Sequence, residues 1–208
     1  MGILETERLL LEPWNERHRA SWRSICRDED VMRFIGTGHL WPAAQADEVF
    51  DGMLAHWQEH GFGWRSVLDR PAGHWLGFVG LNLVGPGVAG IGPEQVEIGW
   101  WLVPSSWGRG YASEAAAAAR DEGFERAGLD QVIARLQPAN TASSRVAQKI
   151  GLTFQREATG RHGELLHVFL LDRDRWEHQL HSALPGSSAP EPTPRHHDDV
   201  HQRWPGRA

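Results

Sequence analysis

Residues 96–115 read Val96-Glu97-Ile98-Gly99-Trp100-Trp101-Leu102-Val103-Pro104-Ser105-Ser106-Trp107-Gly108-Arg109-Gly110-Tyr111-Ala112-Ser113-Glu114-Ala115. The apolar run up to Val103 predicts a strand, and the alanine-rich stretch from Tyr111 to Ala127 predicts a helix. Between them Gly108 and Gly110 permit a tight turn with no side chain in the way of an anion. The first N–H groups of a helix have no partner within it, and its dipole adds to their attraction for a phosphate. Arg109 either lends a charge to that cradle or points to solvent. Read alone, the turn is equally an ordinary glycine-bearing connection, because short glycine motifs recur by chance.

Along the strand, alternation sets Glu97, Gly99, Trp101 and Val103 on one face and Ile98, Trp100 and Leu102 on the other. A carboxylate in so apolar a strand is costly unless water or a partner reaches it. Glu97 is therefore a candidate general base in a cleft, the plainer alternative being a solvent-facing or arginine-paired glutamate. Glu114, in the first turn of the helix, reads as a cap rather than as chemistry.

Outward from this stretch, strands and helices alternate. Arg8–Trp14 predicts a strand ended by Pro13, and Asn15–Arg27 a helix with Asn15 as its cap. Pro42–His60 predicts a helix stopped at Gly61, with Val49, Phe50, Met53, Leu54 and Trp57 at helical spacing. Trp64–Asp69 and Trp75–Val84 predict strands joined by the turn Arg70-Pro71-Ala72-Gly73. After the long helix come a strand at Gln131–Gln137, a helix at Asn140–Ile150 closed by Gly151, strands at Thr153–Thr159 and Glu164–Leu171, and a helix at Asp174–Leu180. This order implies an α/β (α+β) domain over residues 1–182. From Ala183 the chain is rich in Pro, Ser and polar residues, and residues 183–208 read as a disordered tail.

Composition narrows the function. With 21 basic and 27 acidic residues the net charge is −6, which argues against a general nucleic-acid binder. Cys26 is the only cysteine, so neither an intrachain disulfide nor a cysteine metal cluster is available, and a reducing cytoplasm is expected. The first residues lack signal-peptide character, and no apolar run reaches membrane-spanning length. Lys149, the lone lysine, is flanked by Gln148 and Ile150, which excludes a Walker-type loop. Gly85-Pro86-Gly87-Val88-Ala89-Gly90 matches the spacing of a dinucleotide fingerprint, but Ile91-Gly92-Pro93 follows where a helix must begin. It reads as a loop. The histidines show no metal-ligand spacing in the folded part, and no metal is expected.

Trp107-Gly108-Arg109-Gly110-Tyr111-Ala112 resembles the acyl-CoA pyrophosphate loop of the GNAT N-acetyltransferase superfamily, usually Gln/Arg-x-x-Gly-x-Gly/Ala. Asn140-Thr141-Ala142-Ser143-Ser144-Arg145-Val146-Ala147-Gln148-Lys149-Ile150-Gly151-Leu152 resembles its second signature. Thr6-Glu7-Arg8-Leu9-Leu10-Leu11 and Leu76-Gly77-Phe78-Val79-Gly80-Leu81 are similar to blocks of its RimJ/RimL-like branch. The resemblance runs from Thr6 to Trp176 with the blocks in order.

It implies a GNAT-like single domain whose mostly antiparallel sheet contains one parallel, splayed strand pair, flanked by helices. It implies acetyl-CoA as co-substrate, bound by the strand edge Trp101, Leu102 and Val103 and by the turn Trp107, Gly108, Arg109, Gly110, Tyr111 and Ala112. An oxyanion donor is expected at the N–H of Leu102 or Val103. Asn140 caps its helix and touches the CoA arm, while Ser143 falls near the sulfur as a catalytic and cofactor-proximal group. Glu97 becomes a water-relayed base beside the acceptor, and Trp41 a wall of the acceptor site. The acceptor is an amine, either a protein N-terminus or a small molecule; neither nucleic acid nor membrane is implied, and a homodimer is compatible.

Two positions depart from the pattern. Trp107 stands where Gln or Arg is usual, a position expected to act through its backbone. Phe169 falls where many relatives carry a tyrosine that reprotonates the CoA thiolate, so another group or water must serve. That loss also fits a second reading, a catalytically weak acyl-CoA-binding or sensing module. A covalent cysteine route is not expected, since Cys26 lies in the first predicted helix.

Overall fold

The computed structural model of the chain describes residues 2–86 and 88–183. The tail expected at 183–208 thus lies outside the described residues, apart from Ala183 at the end of the last helix.

In chain order the elements are β1 (Leu4–Glu5), β2 (Leu9–Pro13), α1 (Arg19–Ile25), α2 (Glu29–Met32), α3 (Ala43–His60), β3 (Trp64–Asp69), β4 (Trp75–Leu83), β5 (Val96–Leu102), α4 (Tyr111–Glu125), β6 (Gln131–Leu136), α5 (Thr141–Lys149), β7 (Thr153–Thr159), β8 (Leu165–Asp172) and α6 (Arg173–Ala183). They form one eight-stranded sheet in the order β1-β2-β3-β4-β5-β6-β8-β7. Every pairing is antiparallel except β5 with β6, which are parallel and joined by the α4 crossover.

β1 and α2 escape the sequence pattern because two and four residues are too short to show a period. The helix expected from Asn15 starts as a 3-10 turn at Glu16–His18, with the Asn15 side chain accepting from the Arg17 N–H, and continues as α1.

Helices cover both faces of the sheet. On one, α4 sets Ala115, Ala116, Ala119 and Phe124 against Leu81, Ile98, Val132 and Leu171, its alanines letting the helix lie close. On the other, α1 and α3 bring Trp22, Ile25 and Phe50 onto Trp14, Trp64 and Phe78. β4, covered on both faces, is buried from Leu76 to Leu81. Its glycines explain the Leu76–Leu81 block: Gly77 takes φ 142°, and a Cβ there would lie 2.2 Å from the Trp101 carbonyl oxygen. Between β4 and β5, Val88 and Ile91 are buried against Ile133 and Val168.

A buried ion pair joins sheet to helix. Arg65 of β3 is fully buried and donates to Glu122 of α4 through Nε at 2.8 Å and Nη2 at 2.5 Å, and to the Leu11 carbonyl at 3.2 Å.

Candidate active site

β5 and β6 share a single registered pair, Glu97 with Ile133, and beyond it their ladder stops. At the far end of β5 the Val103 N–H donates to the Leu76 carbonyl over 3.0 Å. Peptide groups of an antiparallel strand point alternately to its two neighbours, so those of Trp100 and Leu102 turn away from β4 into the gap. This corrects one expectation: Val103 spends its N–H on the sheet, and of the two candidate oxyanion donors only Leu102 faces the gap. The Leu102 carbonyl accepts the Trp107 indole N–H at 2.7 Å. Trp107, expected to act through its backbone, also ties the turn to the strand end with its side chain.

The turn is built as its glycines require, with Gly108 at φ 72° and Gly110 at φ 81°. Gly110 is the N-cap of α4, and among the described residues no side chain caps that end. Gly108, Gly110, Tyr111, Ala112 and Ser113 line a cavity of about 690 Å³. A Cβ on Gly108 would meet none of the described residues within 4 Å, so they leave space beside the turn. The bare first turn of α4 suits an anionic group such as a pyrophosphate. Arg109 does not line this cavity; its guanidinium lies 4.9 Å from the Tyr111 ring centre. Nor does Glu114 cap its own helix, since its carboxylate accepts from Thr6 and Arg8 of the N-terminal arm.

Across the gap, Asn140 caps α5 by accepting the Ser143 N–H at 3.1 Å, as expected of an asparagine there. Ser143 Oγ accepts the Trp100 indole N–H at 3.3 Å, which links α5 to β5 over the opening. Asn140, Ser143, Arg145, Val146 and Lys149 face the same cavity.

Glu97, Trp41, Trp101 and Arg135 line the same cavity. Glu97 is bonded to Arg135 Nη2 at 2.5 Å, their side chains 25% and 17% exposed, so the carboxylate has a cationic partner and stays open to water. Trp41 packs edge-on to Trp101 with ring centres 5.6 Å apart. Phe169 is buried in the core and does not line the cavity. Cys26 is buried as well, and burial pushes its thiol up to about 12, so it offers no nucleophile.

The cavity therefore gathers every expected site residue except Val103 and Arg109. The sequence reading missed Arg135, although a charge in the apolar run Val132-Ile133-Ala134 is the same signal that marked Glu97.

Among the described residues no helix is long and apolar enough to cross a membrane. Residues 8–153 match the family model described as the acetyltransferase (GNAT) domain. The chain is 30% identical to the Bacillus subtilis protein YkkB, over 74% of this chain and 86% of that one. It is 29% identical to the FsC-acetyl coenzyme A-N(2)-transacetylase of Aspergillus fumigatus, over 72% of this chain and 64% of that protein. The crystal structure of an acetyltransferase from Agrobacterium tumefaciens superposes with a TM-score of 0.71 at 31% identity, covering 83% of this chain and 95% of the other. On this match of fold, sequence and cavity, the chain belongs to the GNAT acetyltransferase family and is an acetyl-CoA-dependent N-acetyltransferase.

Proposed function

We propose that the chain acetylates a primary amine, on a protein N-terminus or a small molecule, by direct attack with both substrates bound. The observation that carries this reading is one cavity of about 690 Å³ reaching from the bare first turn of α4 to both Ser143 and Glu97. In this reading the turn Gly108–Ala112 holds the pyrophosphate through its backbone N–H groups. The open side of β5, at Trp100 and Leu102, pairs with the amides of the pantetheine arm as a neighbouring strand would. Asn140 lies beside that arm.

The chemistry then divides among a few groups. Glu97 accepts, through water, the proton that the amine loses as its nitrogen bonds to the acetyl carbon. The Leu102 N–H donates to the carbonyl oxygen where negative charge grows. As the C–S bond breaks, the Ser143 O–H donates its proton to the sulfur and regains one from water, so the thiol leaves neutral; its oxygen already accepts from Trp100, which leaves its own O–H free to point elsewhere. This assigns to Ser143 the role that Phe169 cannot fill. Trp41 and Trp101 wall the acceptor end. An α-amine, with a pKa of about 8, is roughly a tenth neutral at pH 7 and needs less help from Glu97 than a lysine amine at about 10.4.

The blocks Thr6–Leu11 and Leu76–Leu81 support membership of the RimJ/RimL-like branch. A panel of peptides with free N-termini, polyamines, aminoglycosides and amino acids, assayed for thiol release from acetyl-CoA, tests the reading. Amine-dependent release by the parent and its loss in Ser143→Ala are expected; absence of release with every amine overturns the proposed transfer.

A further inference from the structure

Arg8 does not line the cavity, yet its contacts converge on the turn that opens α4. Its Nε donates to Glu114 Oε2 over 2.7 Å, its Nη2 stands 2.6 Å from the same oxygen, and its backbone N–H donates to Glu114 Oε1 over 2.9 Å. Its Nη1 donates to the Arg109 carbonyl over 3.0 Å. Its guanidinium lies 4.8 Å from the Tyr111 ring centre, and a Cβ built on Gly110 would come 3.3 Å from Nη2. The Arg8 side chain thus reaches Arg109, Tyr111 and Glu114 around the start of α4.

Two physical consequences follow. The Arg109 carbonyl and the Gly110 N–H belong to one planar trans peptide, so holding the carbonyl towards Arg8 turns that N–H the opposite way. Gly110 lines the cavity. In addition, a carboxylate in the first turn of a helix repels any phosphate brought to the same end. Pairing with Arg8 cancels the Glu114 charge there. We propose that Arg8 is a positioning residue for acetyl-CoA: it aims the Gly110 N–H into the cavity and keeps the first turn of α4 attractive to phosphate. This rests on the reading of Gly108–Ala112 as the pyrophosphate site.

Calorimetric titration with CoA compares the parent with Arg8→Ala, Arg8→Lys, the double variant Arg8→Ala/Glu114→Gln, and Gly108→Asp. Arg8→Ala is expected to weaken CoA about tenfold, the size of a favourable charge effect at a helix end. Arg8→Lys, which keeps the charge but loses the fork, falls between it and the parent. The double variant recovers part of the loss, because the unpaired carboxylate has gone while the carbonyl remains unheld. A residue that merely supported the fold would lose CoA affinity only in step with melting temperature, so each variant is also melted without CoA, and a loss of affinity at an unchanged melting temperature is expected. If Arg8→Ala does not fold, Arg8→Lys carries the comparison.

CoA affinity within twofold of the parent in the Arg8 variants, or no recovery in the double variant, overturns the proposal. Gly108→Asp separates the two readings. If it binds CoA like the parent, the site assignment falls and this role falls with it. If it loses CoA while the Arg8 variants do not, only the role of Arg8 falls.

Discussion

Arg135 holds the carboxylate of Glu97 at 2.5 Å from a position two residues past Ile133, the partner of Glu97 in the parallel pair. The bond therefore spans the two strands where they begin to part, and it orients the carboxylate at the mouth of the gap. A carboxylate placed this way has a fixed direction and stays reachable by water. The same geometry would serve a purely structural ion pair, so turnover must decide between the two.

Glu97→Gln keeps shape and hydrogen bonding and removes the base. Turnover at neutral pH is expected to fall by ~10²–10⁴-fold while CoA affinity stays unchanged. The defect should shrink as pH rises towards the pKa of the acceptor amine, because the substrate then arrives deprotonated. Near-parental turnover at neutral pH would leave Glu97 as no more than the partner of Arg135.

At Gly108 the open space makes a charge test clean, although φ 72° strains any side chain there. Gly108→Asp and Gly108→Asn share that strain and differ by one negative charge. CoA at a hundred times its Kd stabilises the parent by about 2.7 kcal/mol. In thermal melts Asn should retain much of this shift and Asp almost none. Equal shifts in both variants would place the phosphates elsewhere.

Glu122→Ala would strand the Arg65 guanidinium in the core, and removing one partner of a buried pair costs about 3–5 kcal/mol. For a chain of this size that lowers Tm by roughly 2–4 °C per kcal/mol. Arg65→Met/Glu122→Leu should regain most of the loss, since no unpaired charge stays behind. A single variant melting within a degree or two of the parent would show that water reaches Arg65 freely.

Burial alone would raise the pKa of Glu114, but hydrogen bonds from Thr6, from the Arg8 amide and from its guanidinium outweigh it and hold the carboxyl below its ordinary value of 4.5. A depressed acid stabilises the fold above its unfolded pKa, and this is lost as pH falls through the folded one. Stability should thus decline below about pH 4.5. Glu114→Gln should flatten its share of that decline, which pH titrations of melting temperature would detect; an unaltered acid limb would remove Glu114 as a contributor to acid stability.

The parts of the site that were legible in sequence are local ones. Gly108 and Gly110 announce a turn because only glycine enters that backbone region cheaply, and Asn140 announces a helix start because its side chain reaches an N–H three residues on. Alternation placed Glu97 and Trp101 on one face of β5 and Ile98 and Leu102 on the other, as the two buried clusters confirm for Trp101, Ile98 and Leu102. What stayed hidden are partnerships set by the fold. Arg135 is 38 residues from Glu97, Glu122 is 57 from Arg65, and Glu114 is 106 from Arg8. No local period encodes such distances. The Val103 N–H was misjudged for the same reason, since its partner Leu76 is fixed only by the register of β4 on β5.

Most sheets carry their unpaired backbone at the rim, where it invites pairing with other chains and aggregation. The parting of β5 from β6 places such backbone in the middle of this sheet instead. An intruding polypeptide strand would have to thread a cavity of about 690 Å³ between α4, α5 and the tryptophans, and the carbonyl of Leu102 is already taken by Trp107. Access to this inner edge therefore runs through the same cavity that the first turn of α4 and Glu97 line.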